Sequence, residues 1–124
     1  MKTLSRILLI FSALVFAFGA WVHTSAFGKV SAAVAKSDLA DFFGKGFKTI
    51  WLMDSSVQVI LAIVFAFVAI RPHAATKLIV VLIALIPLTT AIFAYYFIGN
   101  FIAGHLFLTG SVAAVVGGLL KTGD

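Results

Sequence analysis

LIVVLIALIPLTTAIFAYYFIGNFIAGHLFLTGSVAAVVGGLL, residues 78–120, runs forty-three positions without a Lys, Arg, Asp or Glu. As one helix it would be ~65 Å long, about twice the hydrocarbon thickness of a bilayer. It must therefore double back, and Gly99-Asn100 supplies the turn. Two further apolar stretches precede it, Leu4–Phe27 and Thr49–Ile70. The chain thus reads as all-α and integral to a membrane, with four spanning helices in an up-down bundle.

Composition agrees. The 124 residues are 63% hydrophobic and only 10% charged, with a mean hydropathy of +1.21. A soluble domain carries roughly a quarter charged residues, so 1–124 reads as one transmembrane domain. There is no Cys, which excludes disulfides, thiolate metal sites and thiol catalysis. The net charge of +5 sits in loops and at the ends. In a membrane protein it speaks to topology and to anionic lipid. No basic stripe interleaved with aromatics exists, so nucleic acid is excluded as a partner. Lys2 and Arg6 ahead of an apolar run look like a secretory leader, with Thr24-Ser25-Ala26 as a passable cleavage site. The run reaches spanning length, which favours a retained first helix.

The expected helices are about 4–27, 47–70, 75–98 and 101–120. Pro72 stops the second, because proline disfavours helix in the residue before it. The outer loop 28–46 carries Val30, Ala33, Val34, Leu39, Phe42 and Phe43 between Lys29, Lys36, Lys45 and Lys48. That pattern predicts a short amphipathic segment at the membrane surface, capped by Ser37 and ended by Gly44 or Gly46. Lys2, Arg6, Arg71, Lys77 and Lys121 fall on one side of the membrane. The first helix usually sets orientation, which puts both termini in the cytoplasm and the chain in an inner membrane.

Packing signals are those of a bundle. Gly110, Ala114 and Gly118 recur at four-residue spacing, with Gly117 beside them. Pro87 interrupts the third helix and predicts a kink, with Thr89 and Thr90 placed to satisfy freed carbonyls. Trp21, Trp51, Tyr95 and Tyr96 lie near the outer ends, as an aromatic belt would place them.

Counting depth from the outer edge, His23, Asp54, Gln58, Thr90, His105 and Thr109 fall ~6–15 Å below it. Four helices alternating in direction bring these groups into one layer. A carboxylate at that depth costs a few kcal/mol on insertion scales, so Asp54 must face the interior or a partner. Trp51, Asp54, Ser55, Gln58 and Ala62 share one helix face. A cluster of His23, Asp54 and His105 is therefore allowed. It has the minimum ligand set for a divalent metal such as zinc or non-haem iron, and its two His could ligate haem axially. The blander account makes Asp54 an outer-end anchor, Gln58 and His105 helix-to-helix hydrogen bonders, and His73 a solvated loop residue.

The inner halves hold few polar groups, mainly Ser12, Thr76 and Ser111, so no polar route crosses the membrane. No nucleophile elbow, P-loop or dinucleotide fingerprint is present. The expectation is a non-enzymatic accessory subunit of a larger membrane complex, or a homo-oligomer, with an outward polar pocket. The alternatives are a ligand- or ion-binding transport protein and a metal- or haem-dependent enzyme using the same residues.

Overall fold

A computed structural model of the chain describes residues 2–121. Four α-helices account for most of it: α1 (Lys2–Ala35), α2 (Asp41–Ile70), α3 (Lys77–Phe97) and α4 (Ile102–Leu119). A single 3-10 turn, Pro72–Ala74, joins α2 to α3, and no strand occurs among the described residues. Each helix is long and apolar enough to cross a membrane. This is a small integral membrane protein.

α1 packs on both α2 and α4, α4 packs on α3, and no comparable seam joins α2 to α3. The α1–α4 seam is regular. Ser5 donates its hydroxyl to the Gly117 carbonyl at 2.6 Å, and Ser12 donates to the Gly110 carbonyl at 2.9 Å. Serines seven residues apart thus meet glycines seven residues apart, running the opposite way. Phe16 fills the junction of three helices, 5.9 Å from the Phe65 ring and 6.3 Å from that of Phe107. The glycines of α4 do not form one stripe. Gly110 and Gly117 lie against Phe16, Leu8 and Leu9 of α1, whereas Gly118 lies against Val80 of α3. Without a hydrophobic drive between helices in lipid, such close approach is what holds them.

Three local expectations are corrected. The segment 28–46 is not a separate surface element: α1 continues to Ala35 and α2 begins at Asp41. Val34 packs onto Gly44, which is buried inside α2, so the apolar positions pair with one another and extend the hairpin as helix. Ser37 does not start a helix; its hydroxyl donates to the Val34 carbonyl at 2.7 Å, at the end of α1. Thr89 and Thr90 donate to the carbonyls of Leu85 and Ile86, not to that of Ile83, the one Pro87 leaves without a donor.

Helix lengths differ sharply. At 1.5 Å per residue, the 34 residues of α1 and 30 of α2 span ~51 and ~45 Å. The 21 residues of α3 and 18 of α4 span ~32 and ~27 Å. Ser5 meets Gly117 at one end, so the surplus lies at the other. By the same register Ile102 is level with about residue 20 of α1. The rest of α1 and the first turns of α2 run on for ~20 Å past the Gly99-Asn100 turn.

Candidate functional site

The polar residues gather where the long hairpin leaves the shorter pair. Gly19 permits this on α1. A Cβ there would collide with Gln58 Oε1, so only glycine lets the Gln58 amide lie against the α1 backbone. Gln58 is buried, and its Nε2–H donates to Asp54 Oδ2 at 2.8 Å. One turn further along α1, His23 meets α2. Its imidazole stacks on the Trp51 indole with centroids 3.9 Å apart and planes 10° from parallel. The indole N–H donates to the His23 carbonyl at 2.9 Å.

The histidine's nitrogens have different company. Nδ1 lies 2.8 Å from Ser55 Oγ. Ser55 spends its own proton on the Trp51 carbonyl at 3.2 Å. With that proton committed, Nδ1–H is the donor to Ser55. Nε2 then faces Asp54 Oδ2 at 3.6 Å. This is too long for a hydrogen bond and becomes an ion pair when the ring is protonated.

Ser55, His23 and Asp54 are the residue types of a hydrolytic triad, but the arrangement is not one. Ser55 is buried and its hydroxyl is tied to a backbone carbonyl. It lies in the interior of α2, where backbone N–H groups bond within the helix. None is free to form an oxyanion hole.

His105 belongs elsewhere. Asn100 Oδ1 accepts from its Nε2–H at 2.7 Å, which leaves Nδ1 to accept from the Tyr95 hydroxyl, also at 2.7 Å. The Tyr95 ring meets the imidazole edge-on at 5.6 Å and lies against Gly104. These bonds staple α3 to α4 across the turn. Thr90 donates to its own helix at Ile86, and Thr109 is exposed in an open groove with Leu8, Phe11 and Val112. The six expected residues thus divide. His23, Asp54 and Gln58 come together; His105, Thr90 and Thr109 do not join them.

The expected metal set of His23, Asp54 and His105 is therefore not assembled. No group of three His, Asp or Glu side chains among the described residues is placed to hold a metal. Haem ligation fits no better, because both nitrogens of His105 and Nδ1 of His23 are already engaged. The members that sequence reasoning left in minor roles are Trp51 and Ser55. Their signal was present: both sit on the helix face that carries Asp54 and Gln58.

In effect, the cluster clamps α1 to α2 at the base of the projecting hairpin. Beyond it the hairpin carries Phe42, Phe43 and Phe47, all exposed, among Lys29, Lys36, Lys45 and Lys48. No protein-family model matches this sequence, and no curated protein and no solved structure matches it either.

Proposed function

We propose that the chain is a non-enzymatic accessory subunit of a larger membrane assembly. Its four helices act as an up-down anchor in an inner membrane, with both termini in the cytoplasm. The α1–α2 hairpin is the part that meets a protein partner on the outer face. The observation that supports this reading is the ~20 Å by which the hairpin outruns α3 and α4, with exposed Phe42, Phe43 and Phe47 along it. Aromatic side chains clustered on a water-facing surface mark contact sites. The clamp at His23, Trp51 and Asp54 then serves to fix the angle at which the hairpin is presented. The lack of a free nucleophile, oxyanion hole or metal set in the cluster argues against an enzyme using it.

A photo-crosslinking residue at Phe43 tests this in intact cells. A discrete adduct from position 43, with none from the exposed Ile86 of α3, is the expected result. An adduct at twice the 13.2 kDa of the chain would make the partner a second copy, the homo-oligomeric form of the same proposal. No adduct at positions 42, 43 or 47, from protein that purifies strictly alone, would refute it.

A further inference from the structure

Beyond the clamp the hairpin is two-sided. Phe43, Phe47 and Ile50 stand at i, i+4 and i+7 of α2, and at about 100° per residue they share one flank. All three are exposed. Lys45 and Lys48 fall on the other flank, with Gly44 between the two sides facing α1. The contact of Val34 with Gly44 sets the register of the antiparallel pair. Lys29 of α1 therefore comes level with the Lys48 region of α2, and Lys36 stands at the tip.

The charges here are unbalanced. Residues 24–50 carry four lysines, Lys29, Lys36, Lys45 and Lys48, and two aspartates, Asp38 and Asp41. Asp41 is already paired with Lys45 at 2.6 Å. Lys29, Lys36 and Lys48 have no acidic partner among the described residues, which leaves Asp38 as the one uncommitted carboxylate near three cations.

Height decides what these cations can meet. α3 and α4, at ~32 and ~27 Å, match a hydrocarbon core of ~30 Å. In the membrane reading, the Gly99-Asn100 turn then marks its outer boundary. Lys29 lies about 13 Å past the level of Ile102, and Lys36 and Lys45 about 20 Å past it. The headgroup layer is only ~5–8 Å deep on each side. Most of the hairpin's charge thus stands above the lipid phosphates, at the height of a protein resting on the membrane.

We infer that the partner of this hairpin is a protein with an acidic surface around an apolar cleft. Its carboxylates face Lys29, Lys36 and Lys48, and its cleft takes the Phe43 and Phe47 rings. Opposite charge speeds the encounter and excludes basic surfaces, while the aromatic stripe supplies contact area. The inference rests on the reading of the hairpin as a protein-contact element, and adds the chemistry of what it contacts.

The test keeps the full-length chain with a photo-crosslinking residue at position 43. It compares native lysines with two triple variants, Lys29→Gln with Lys36→Gln and Lys48→Gln, and the same three positions changed to Arg. Three exposed ion pairs are together worth about tenfold, so the Gln variant is expected to lower adduct yield about tenfold and the Arg variant to preserve it. In isolated membranes, raising salt from about 20 to about 500 mM is expected to lower the yield of the unmodified lysine chain several-fold. The crosslinked partner segment, sequenced by mass spectrometry, is expected to be rich in Asp and Glu. The salt series carries the test if the Gln variant fails to fold. An adduct insensitive to both salt and the Gln variant would overturn the inference and leave the hairpin contact standing. So would an adduct to a second copy, whose hairpin is equally basic. An adduct to lipid would assign the lysines to an anionic membrane surface and overturn it too. No adduct at all from the native-lysine chain would remove the hairpin contact and this inference together.

Discussion

Replacing Gly110 with alanine is expected to destabilise the bundle, although alanine is the better helix former. The α1–α4 seam sets the sign. A methyl at position 110 would lie 2.8 Å from Phe16 Cζ, with two more ring carbons at 3.0 and 3.2 Å. Phe16 is 1% exposed and held between Phe65 and Phe107, so the ring has no space to retreat into. Alanine gains about 1 kcal/mol over glycine in a helix interior. Overpacking a filled core costs ~1–3 kcal/mol. Any separation of the helices also stretches the 2.9 Å bond from Ser12 to the Gly110 carbonyl, and such interhelical bonds are worth ~0.6–1 kcal/mol in membranes. The balance is a loss of ~1–2 kcal/mol.

Unfolding in mixed mild-detergent and dodecyl sulfate micelles, followed by far-ultraviolet circular dichroism, measures the difference. Gly46→Ala is the matched control. It also lies inside a helix, but nothing stands within 4 Å of its added methyl, so it is expected to stabilise by up to about 1 kcal/mol. Phe16→Leu in the Gly110→Ala background should recover part of the loss, because the clashing pair is coupled. If Gly110→Ala stabilises the protein as Gly46→Ala does, the close seam between α1 and α4 does not exist as described.

Three other outcomes follow from the geometry. Gly99 has φ +86°, so Gly99→Ala is expected to cost ~1–2 kcal/mol and Gly99→Asn less, read in the same unfolding assay. Asp54→Asn and His105→Ala should be additive within ~0.5 kcal/mol, since they share no partner, whereas Asp54→Asn and His23→Ala should depart from additivity by more than that. Tyr95→Phe removes one hydrogen bond to His105 and is expected to cost ~1 kcal/mol, with faster hydrogen exchange at the amides of residues 99–105.

The spanning helices were legible because charge exclusion is a strong and local signal. Arg71-Pro72 and Gly99-Asn100 broke the chain where composition said they would. The loop 28–46 was misjudged for a physical reason. Lysines among apolar residues read as a surface segment, but the same residues extend α1 and α2 into a two-helix hairpin. What separates the two cases is the contact of Val34 with Gly44, a pairing between positions that periodicity within either stretch does not reveal.

The candidate site shows the same division between what one helix encodes and what two helices decide. Depth is a property of a single helix, and residue counting placed His23, Asp54 and His105 at similar heights. Azimuth is a relation between helices. On α2 it was readable, since Trp51, Asp54, Ser55 and Gln58 define one face and α1 is the neighbour joined by the shorter connection. On α4 the glycines settle it: Gly110 faces Phe16 of α1. His105 stands five residues earlier, at about 100° per residue, and so points about 140° away from that face. The direction leads to Tyr95 on α3, where both of its nitrogens find partners. Thr109, one residue before Gly110, is turned ~100° in the same sense, about 40° from His105, but one turn further along the helix, where it faces the open groove. A layer counted by depth thus separates into a clamp on α1 and α2 and a staple on α3 and α4. The two are level with each other because both close the same end of the short helices.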